Sequence, residues 1–163
     1  MTQNPSAIAS DTHANQIPWP PLLLAVVIGA AYLLGLRRPL AWPGTGDPGM
    51  HWLGLAVGAV GIALIVTAVM ALRAHDTTVK PHGSADVLVT SGPFNMLRNP
   101  IYLGNVLVLF GLAEVTGNIW YVPAGLFFAL LVTALQILPE ERHLEARFGD
   151  KYRAYKGHTR RWI

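Results

Sequence analysis

Two short stretches carry the side chains best suited to chemistry: Arg98-Asn99-Pro100-Ile101-Tyr102-Leu103-Gly104 and Pro139-Glu140-Glu141. Together they offer a guanidinium, an amide, a phenol and two carboxylates. Carboxylates bind an ammonium, whereas an arginine or a helix N-terminus binds a carboxylate, so the set suits a small zwitterion. Other chemistries find less support. The chain has no cysteine, which removes thiolate metal sites and cysteine nucleophiles. The phosphate-binding patterns GxGxxG and GxxxxGK[ST] do not occur, and no nucleic-acid motif is present, so no nucleic-acid partner is expected. His75 and His82 stand with Asp76 and Asp86, but their spacings match no metal-ligand pattern, and no metal is expected.

The elements that must position these residues are apolar. Of 163 residues, 52% are hydrophobic and 13% charged, about half the charge of a typical soluble domain. Mean hydropathy is +0.39. The apolar residues come in blocks long enough to span a bilayer, whose hydrocarbon core needs about 20 residues of helix. One block runs from Ile17 to Leu36 and a second from His51 to Leu72, neither containing a charge. The third, Asn99 to Pro139, holds Glu114 as its one charge and is too long for a single span. Gly117-Asn118 is a turn signal in its middle. The expected spans are therefore about 17–36, 51–72, 100–116 and 119–138, the last two an antiparallel hairpin. Glu114 falls near the outer end of the third span and reads as a snorkelling charge. Trp19, Tyr32, Trp42, Trp52, Trp120 and Tyr121 fall near span ends, where amphipathic rings prefer the headgroup level.

Asn99-Pro100 reads as a helix start, with Asn as N-cap and Pro at the first helical position. Pro139 is expected to end the fourth span. A cytoplasmic amphipathic helix over about 140–156 then follows, with Leu144, Phe148, Tyr152 and Tyr155 on its apolar stripe. Met1–Gln16 is polar, lacks Lys and Arg, and reads as a disordered lead; 17–163 form one domain. The expected fold class is thus an all-α, multi-pass integral membrane protein of about four helices. Ten basic residues lie in the 73–99 segment and the tail after Pro139, against Arg37 and Arg38 between the first two spans. The positive-inside rule puts the richer side in the cytoplasm of a plasma or inner membrane, in contact with its lipids. The hairpin also brings Arg98, Asn99 and Tyr102 to the same end as Glu140 and Glu141.

The stretch Ser91-Gly92-Pro93-Phe94 through Arg98-Asn99-Pro100-Ile101-Tyr102-Leu103-Gly104 resembles the GPY…RHPxYxG signature of the isoprenylcysteine carboxyl methyltransferase family, which is related to the phospholipid methyltransferases. Residues 139–155 resemble that family's EExxLxxxFGxxYxxY element. The likeness covers about residues 85–163. It implies an integral-membrane enzyme that uses S-adenosylmethionine on the cytoplasmic side. By position, Asn99, Pro100, Tyr102, Leu103 and Gly104 would bind the cofactor together with Glu140 and Glu141. Arg98 would face the cofactor carboxylate or the methyl acceptor, and Arg98 and Glu141 are the expected catalytic pair. An amine acceptor must lose a proton, which Glu141 or a water on Glu140 could take. The acceptor would be a lipophilic or lipid-linked carboxylate, thiol or amine. Asn99 replaces the family's histidine and cannot become cationic or relay a proton near neutral pH. The alternative is a four-span accessory protein that keeps the fold without the activity.

Overall fold

The computed structural model of the chain describes residues 19–43, 46–74 and 87–163. The lead at 1–16, Ile17, and the His75, Asp76, His82 and Asp86 group lie outside the described residues. The described residues form helices and no strands: α1 (Trp19–Arg37), α2 (Pro48–Ala74), α3 (Pro100–Thr116), α4 (Tyr121–Val132), α5 (Leu138–Phe148) and α6 (Asp150–His158), with a short 3-10 turn at Gly92–Asn95. Three helices are long and apolar enough to cross a membrane: α1, α2 and the continuous rod Tyr121–Phe148. The apolar α3 has 17 residues, about 26 Å of helix at 1.5 Å per residue.

Helix α3 sits at the centre, against α2 on one side and α4 on the other, and α1 packs on α4. Leu109 and Ala113 of α3 meet Phe128 and Val132 of α4 and Val27 and Ala31 of α1 in the main core, all essentially removed from solvent. Contact between α2 and α3 rests on small residues instead. A Cβ on Gly61 would lie 2.7 Å from the Gly104 carbonyl oxygen, and one on Gly111 would lie 2.7 Å from the Cα of Gly58. The backbones touch, which in a lipid environment is how helices gain dispersion contact without a hydrophobic drive. Glu114 continues this seam. Its Cβ and Cγ pack on Gly54, and it is buried, so it is wedged between helices rather than snorkelling.

Helix α3 ends at Gly117, whose φ of 64° is the left-handed conformation that glycine adopts at no steric cost. The turn that follows is tied to α1 and to the α1–α2 connection. The Trp42 N–H donates to the Gly117 carbonyl at 3.1 Å, the Asn118 amide to the Ala31 carbonyl at 3.0 Å, and the Trp120 indole to the Arg38 carbonyl at 2.8 Å.

Two features of the C-terminal half differ from the sequence expectation. Pro139 does not end the fourth helix. A π-helical turn at Thr133–Ile137 precedes it, with the Leu138 N–H donating to the Thr133 carbonyl. That wider turn absorbs the missing N–H and the ring's clash with the carbonyl four residues back, so the rod continues to Phe148. The expected single helix over 140–156 is likewise two helices. Gly149, at φ 54°, stops α5 and starts α6 within one residue.

The glycine seam makes a prediction. Gly111→Val should lower the thermal midpoint in detergent by the equivalent of about 1–3 kcal/mol or more, because the clash is with backbone. Gly29→Ala should leave it unchanged, since nothing lies within 4 Å of that position.

Candidate functional site

The start of α3 and the end of the Tyr121–Phe148 rod lie together, as the antiparallel arrangement requires, and the segment after α6 closes over them. The closure begins in the backbone. The Arg98 N–H donates to the Arg160 carbonyl at 2.7 Å, and the Arg160 N–H donates to the Met96 carbonyl at 2.9 Å. These bonds form an isolated parallel bridge between Leu97 and Arg160.

Side chains then lock it. Arg98 donates through Nε to Glu141 Oε1 at 3.2 Å. Its Nη1 donates to the carbonyls of Lys156 at 3.0 Å and Thr159 at 2.7 Å, so the same guanidinium caps the C-terminal end of α6, where the helix dipole favours a cation. Arg161 grips Glu141 from the other side, Nε to Oε1 at 3.0 Å and Nη2 to Oε2 at 2.7 Å. Glu141 is thus a carboxylate held by two guanidiniums, and its side chain is only 8% exposed. The fork geometry makes the Arg161 contact bidentate, the strong form of this pair. The carboxylate in turn raises the Arg161 pKa through that hydrogen bond. Asn99 occupies the N-cap position of α3, but its side chain does not cap the helix; its amide donates to the Arg161 carbonyl at 3.0 Å. The Asn99 carbonyl accepts the Leu103 N–H at 3.1 Å.

Two tyrosines fix α6 from beneath. Tyr152 is almost fully buried, and burial, followed by the Glu141 charge, pushes its pKa up. The Tyr155 hydroxyl donates to the Phe94 carbonyl at 2.7 Å, pinning α6 to the Gly92–Asn95 turn. Burial raises its pKa to about 12, so it stays a protonated donor throughout the physiological range.

A second group lies beside this lock. Glu140 is exposed and takes no part in the Arg98 and Arg161 ion pairs. The Gln136 side chain hydrogen-bonds to it, and Tyr102 lies within its electrostatic reach. Gln136 is only 5% exposed, and its Oε1 has no hydrogen-bond partner. A buried acceptor left unmade costs about 1–3 kcal/mol, which marks a place that a donor-bearing ligand would satisfy.

The expected site residues therefore divide. Arg98, Asn99 and Glu141 are joined in the lock, and Tyr102 and Glu140 meet in the second group. Pro100 is buried at the head of α3, Leu103 is half-buried one turn in, and Gly104 faces Gly61 and Ile65 of α2. Sequence reasoning missed Arg161, Gln136, and the carbonyls at the end of α6. Gln136 had a legible signal, as a lone amide in the apolar run from Ile119 to Leu138. Arg161 had none beyond its place in a basic tail.

The phospholipid methyltransferase family model matches residues 50–151, a span that takes in most of α2, all of α3, and the Tyr121–Phe148 rod with both glutamates. The chain belongs to this family. It is also 30% identical over 125 residues to the cobalt-zinc-cadmium resistance protein CzcN of Cupriavidus metallidurans, a match covering 74% of this chain and 51% of that protein. A further similarity, 38% identity over 63 residues, is to an uncharacterized protein of Haemophilus influenzae, covering 39% of this chain and all of that one. This phospholipid methyltransferase family member thus carries its two polar corners at one end of an apolar helix bundle.

The lock predicts what a charge deletion does. Glu141→Ala leaves Arg98, 11% exposed at its side chain, without its carboxylate. It should cost about 3–5 kcal/mol, as for a broken buried pair, and speed hydrogen exchange at the Arg98 and Arg160 amides. Asn99→Asp should also destabilise the segment, because a carboxylate cannot donate to the Arg161 carbonyl. An unchanged exchange pattern in both variants would refute the lock.

Proposed function

We propose that this protein is an S-adenosylmethionine-dependent methyltransferase of the membrane, acting on a lipophilic or lipid-linked acceptor through a site at the cytoplasmic face. Family membership supports the reaction class. The observation that carries the reading is the buried, unpartnered Oε1 of Gln136 beside the Glu140 carboxylate. Two acceptors side by side, next to an apolar wall, suit the ammonium or the hydroxyls of the methyl donor. In this reading α3 is a fourth, short span, and the ten basic residues of the 73–99 segment and tail set the orientation.

Within the proposal, Glu140 and Gln136 hold the donor's cationic or hydroxyl groups, and Pro100, Tyr102 and Leu103 line the adjoining surface. Arg98 and Glu141 act as positioning residues. Each is saturated by the other and by the C-terminal segment, and a carboxylate shared by two guanidiniums is a poor proton acceptor. Asn99 holds the Arg161 carbonyl in the same role. Gly104 serves the α2 seam. When bound, the donor supplies a methyl group on a sulfonium, whose displacement leaves a neutral thioether. The protein's part is then alignment and exclusion of water. A carboxylate or thiolate acceptor needs no base; an amine acceptor must give up a proton, which the Glu140 carboxylate can take.

Thermal unfolding of the protein in detergent tests this directly. S-adenosylmethionine and its demethylated product should raise the midpoint. Glu140→Gln should weaken binding about tenfold or more, consistent with the roughly 1.5–3 kcal/mol of a hydrogen bond to a charged group. Gln136→Leu should abolish the ligand shift; it removes an orphaned acceptor together with the hydrogen bond to Glu140. With labelled methyl donor and a membrane lipid extract, label should enter a lipophilic product. No midpoint shift at millimolar ligand and no label transfer would overturn the enzyme and leave a non-enzymatic accessory protein.

A further inference from the structure

The opposite end of the bundle carries a separate cluster. A shallow cleft there is lined by Arg37, Arg38, Pro39, Leu40 and Trp120. Its walls are fixed rather than loose. The Arg38 N–H still closes the last turn of α1 on the Leu34 carbonyl at 2.7 Å, and the Trp120 indole holds the Arg38 carbonyl. The Ile119 N–H donates to the Leu40 carbonyl at 3.5 Å. The ion pairs among the described residues involve neither Arg37 nor Arg38. Asp47, on the same connection, spends a carboxylate oxygen on the Gly49 N–H at 2.8 Å. Two adjacent guanidiniums thus line one cleft, and neither is ion-paired to a carboxylate among the described residues.

We propose that this cleft binds the phosphate of an anionic phospholipid in the leaflet at that end. Guanidinium forks match phosphate oxygens in pairs, and two positive charges without an ion pair among the described residues favour a headgroup of net negative charge over a zwitterionic one. The surface beneath supports a lipid over free phosphate. Val26, Ala30, Leu33 and Arg37 follow the i, i+4, i+7, i+11 spacing of one helix face and are all exposed. An acyl chain descending from Arg37 would therefore run along an apolar strip of α1. The indole of Trp120, anchored at its polar edge, places its ring at the headgroup level where such rings prefer to lie. This site is independent of the methyl-transfer reading and lies at the other end of the helices.

Thermal unfolding in mixed micelles tests it with phosphatidylglycerol, phosphatidylcholine and inorganic phosphate as probes. Phosphatidylglycerol should raise the midpoint by about 2–4 °C, and neither phosphatidylcholine nor inorganic phosphate should match it. The double variant Arg37→Gln/Arg38→Gln, both exposed positions, should lose the shift. Arg142→Gln/Lys151→Gln, which removes two exposed charges at the opposite end, should keep it. The proposal fails if the first variant keeps the shift, if the second loses it equally, or if phosphatidylcholine or free phosphate reproduces it.

Discussion

The site end of this molecule depends on one carboxylate. Glu141 is placed on a helix that arrives from the apolar bundle, and it is grasped by an arginine ahead of α3 and another beyond α6. Three pieces of chain far apart in sequence meet at two oxygen atoms. The Arg98 guanidinium also binds the carbonyls of Lys156 and Thr159, while the Arg161 backbone carbonyl accepts from the Asn99 amide beside the Leu97–Arg160 bridge. A charge taken from water is costly, and here the cost is offset only because both oxygens are fully engaged. Glu140, the preceding residue, stands outside these two ion pairs. Adjacent carboxylates on one helix point about 100° apart, which is how one becomes a fastening and its neighbour stays open.

The second constraint is steric. Helix α3 is short and central, and it can hold its corner against the rod only if α2 and α4 grip it closely. On the α4 side, large side chains interdigitate around Leu109 and Phe128. Facing α2, the grip is backbone on backbone at Gly58, Gly61, Gly104 and Gly111, with Glu114 filling the seam at the far end. A membrane offers no hydrophobic push between helices, so close approach of small residues is the available source of cohesion.

Much of this was legible in the sequence because the signals are local. Long apolar blocks make helices, and Gly117 before Asn118 supplies a left-handed residue where the chain must reverse. The spacing of Arg98, Pro100, Tyr102 and Gly104 with the Glu140–Glu141 element carried a resemblance to a methyltransferase family related to the phospholipid methyltransferases, and the chain belongs to the phospholipid methyltransferase family. The rest was not local. Pro139 reads as a stop unless the wider turn ahead of it is known, and nothing in Thr133–Ile137 announces that turn. Gly149 reads as one residue of an amphipathic pattern that holds on both sides of it, so the break was hidden by its own periodicity. Gly104 could serve a ligand or a neighbouring helix, and its place against Gly61 and Ile65 of α2 is visible only in the packing. Arg161 could not be told from the other basic residues of the tail, because its partner lies twenty positions away across a turn.

The wide turn at Thr133–Ile137 changes the phase of the rod that contains it. One extra residue in a turn rotates everything downstream by about 100° relative to an uninterrupted helix. Tyr121, Gly125, Phe128 and Val132 are buried ahead of the turn; Gln136 and Ile137 are buried within it, and Glu141 beyond it. A single unbroken helix thereby acts as two differently indexed parts, an apolar anchor in its first half and a polar corner in its second, with no loop between them to loosen the join.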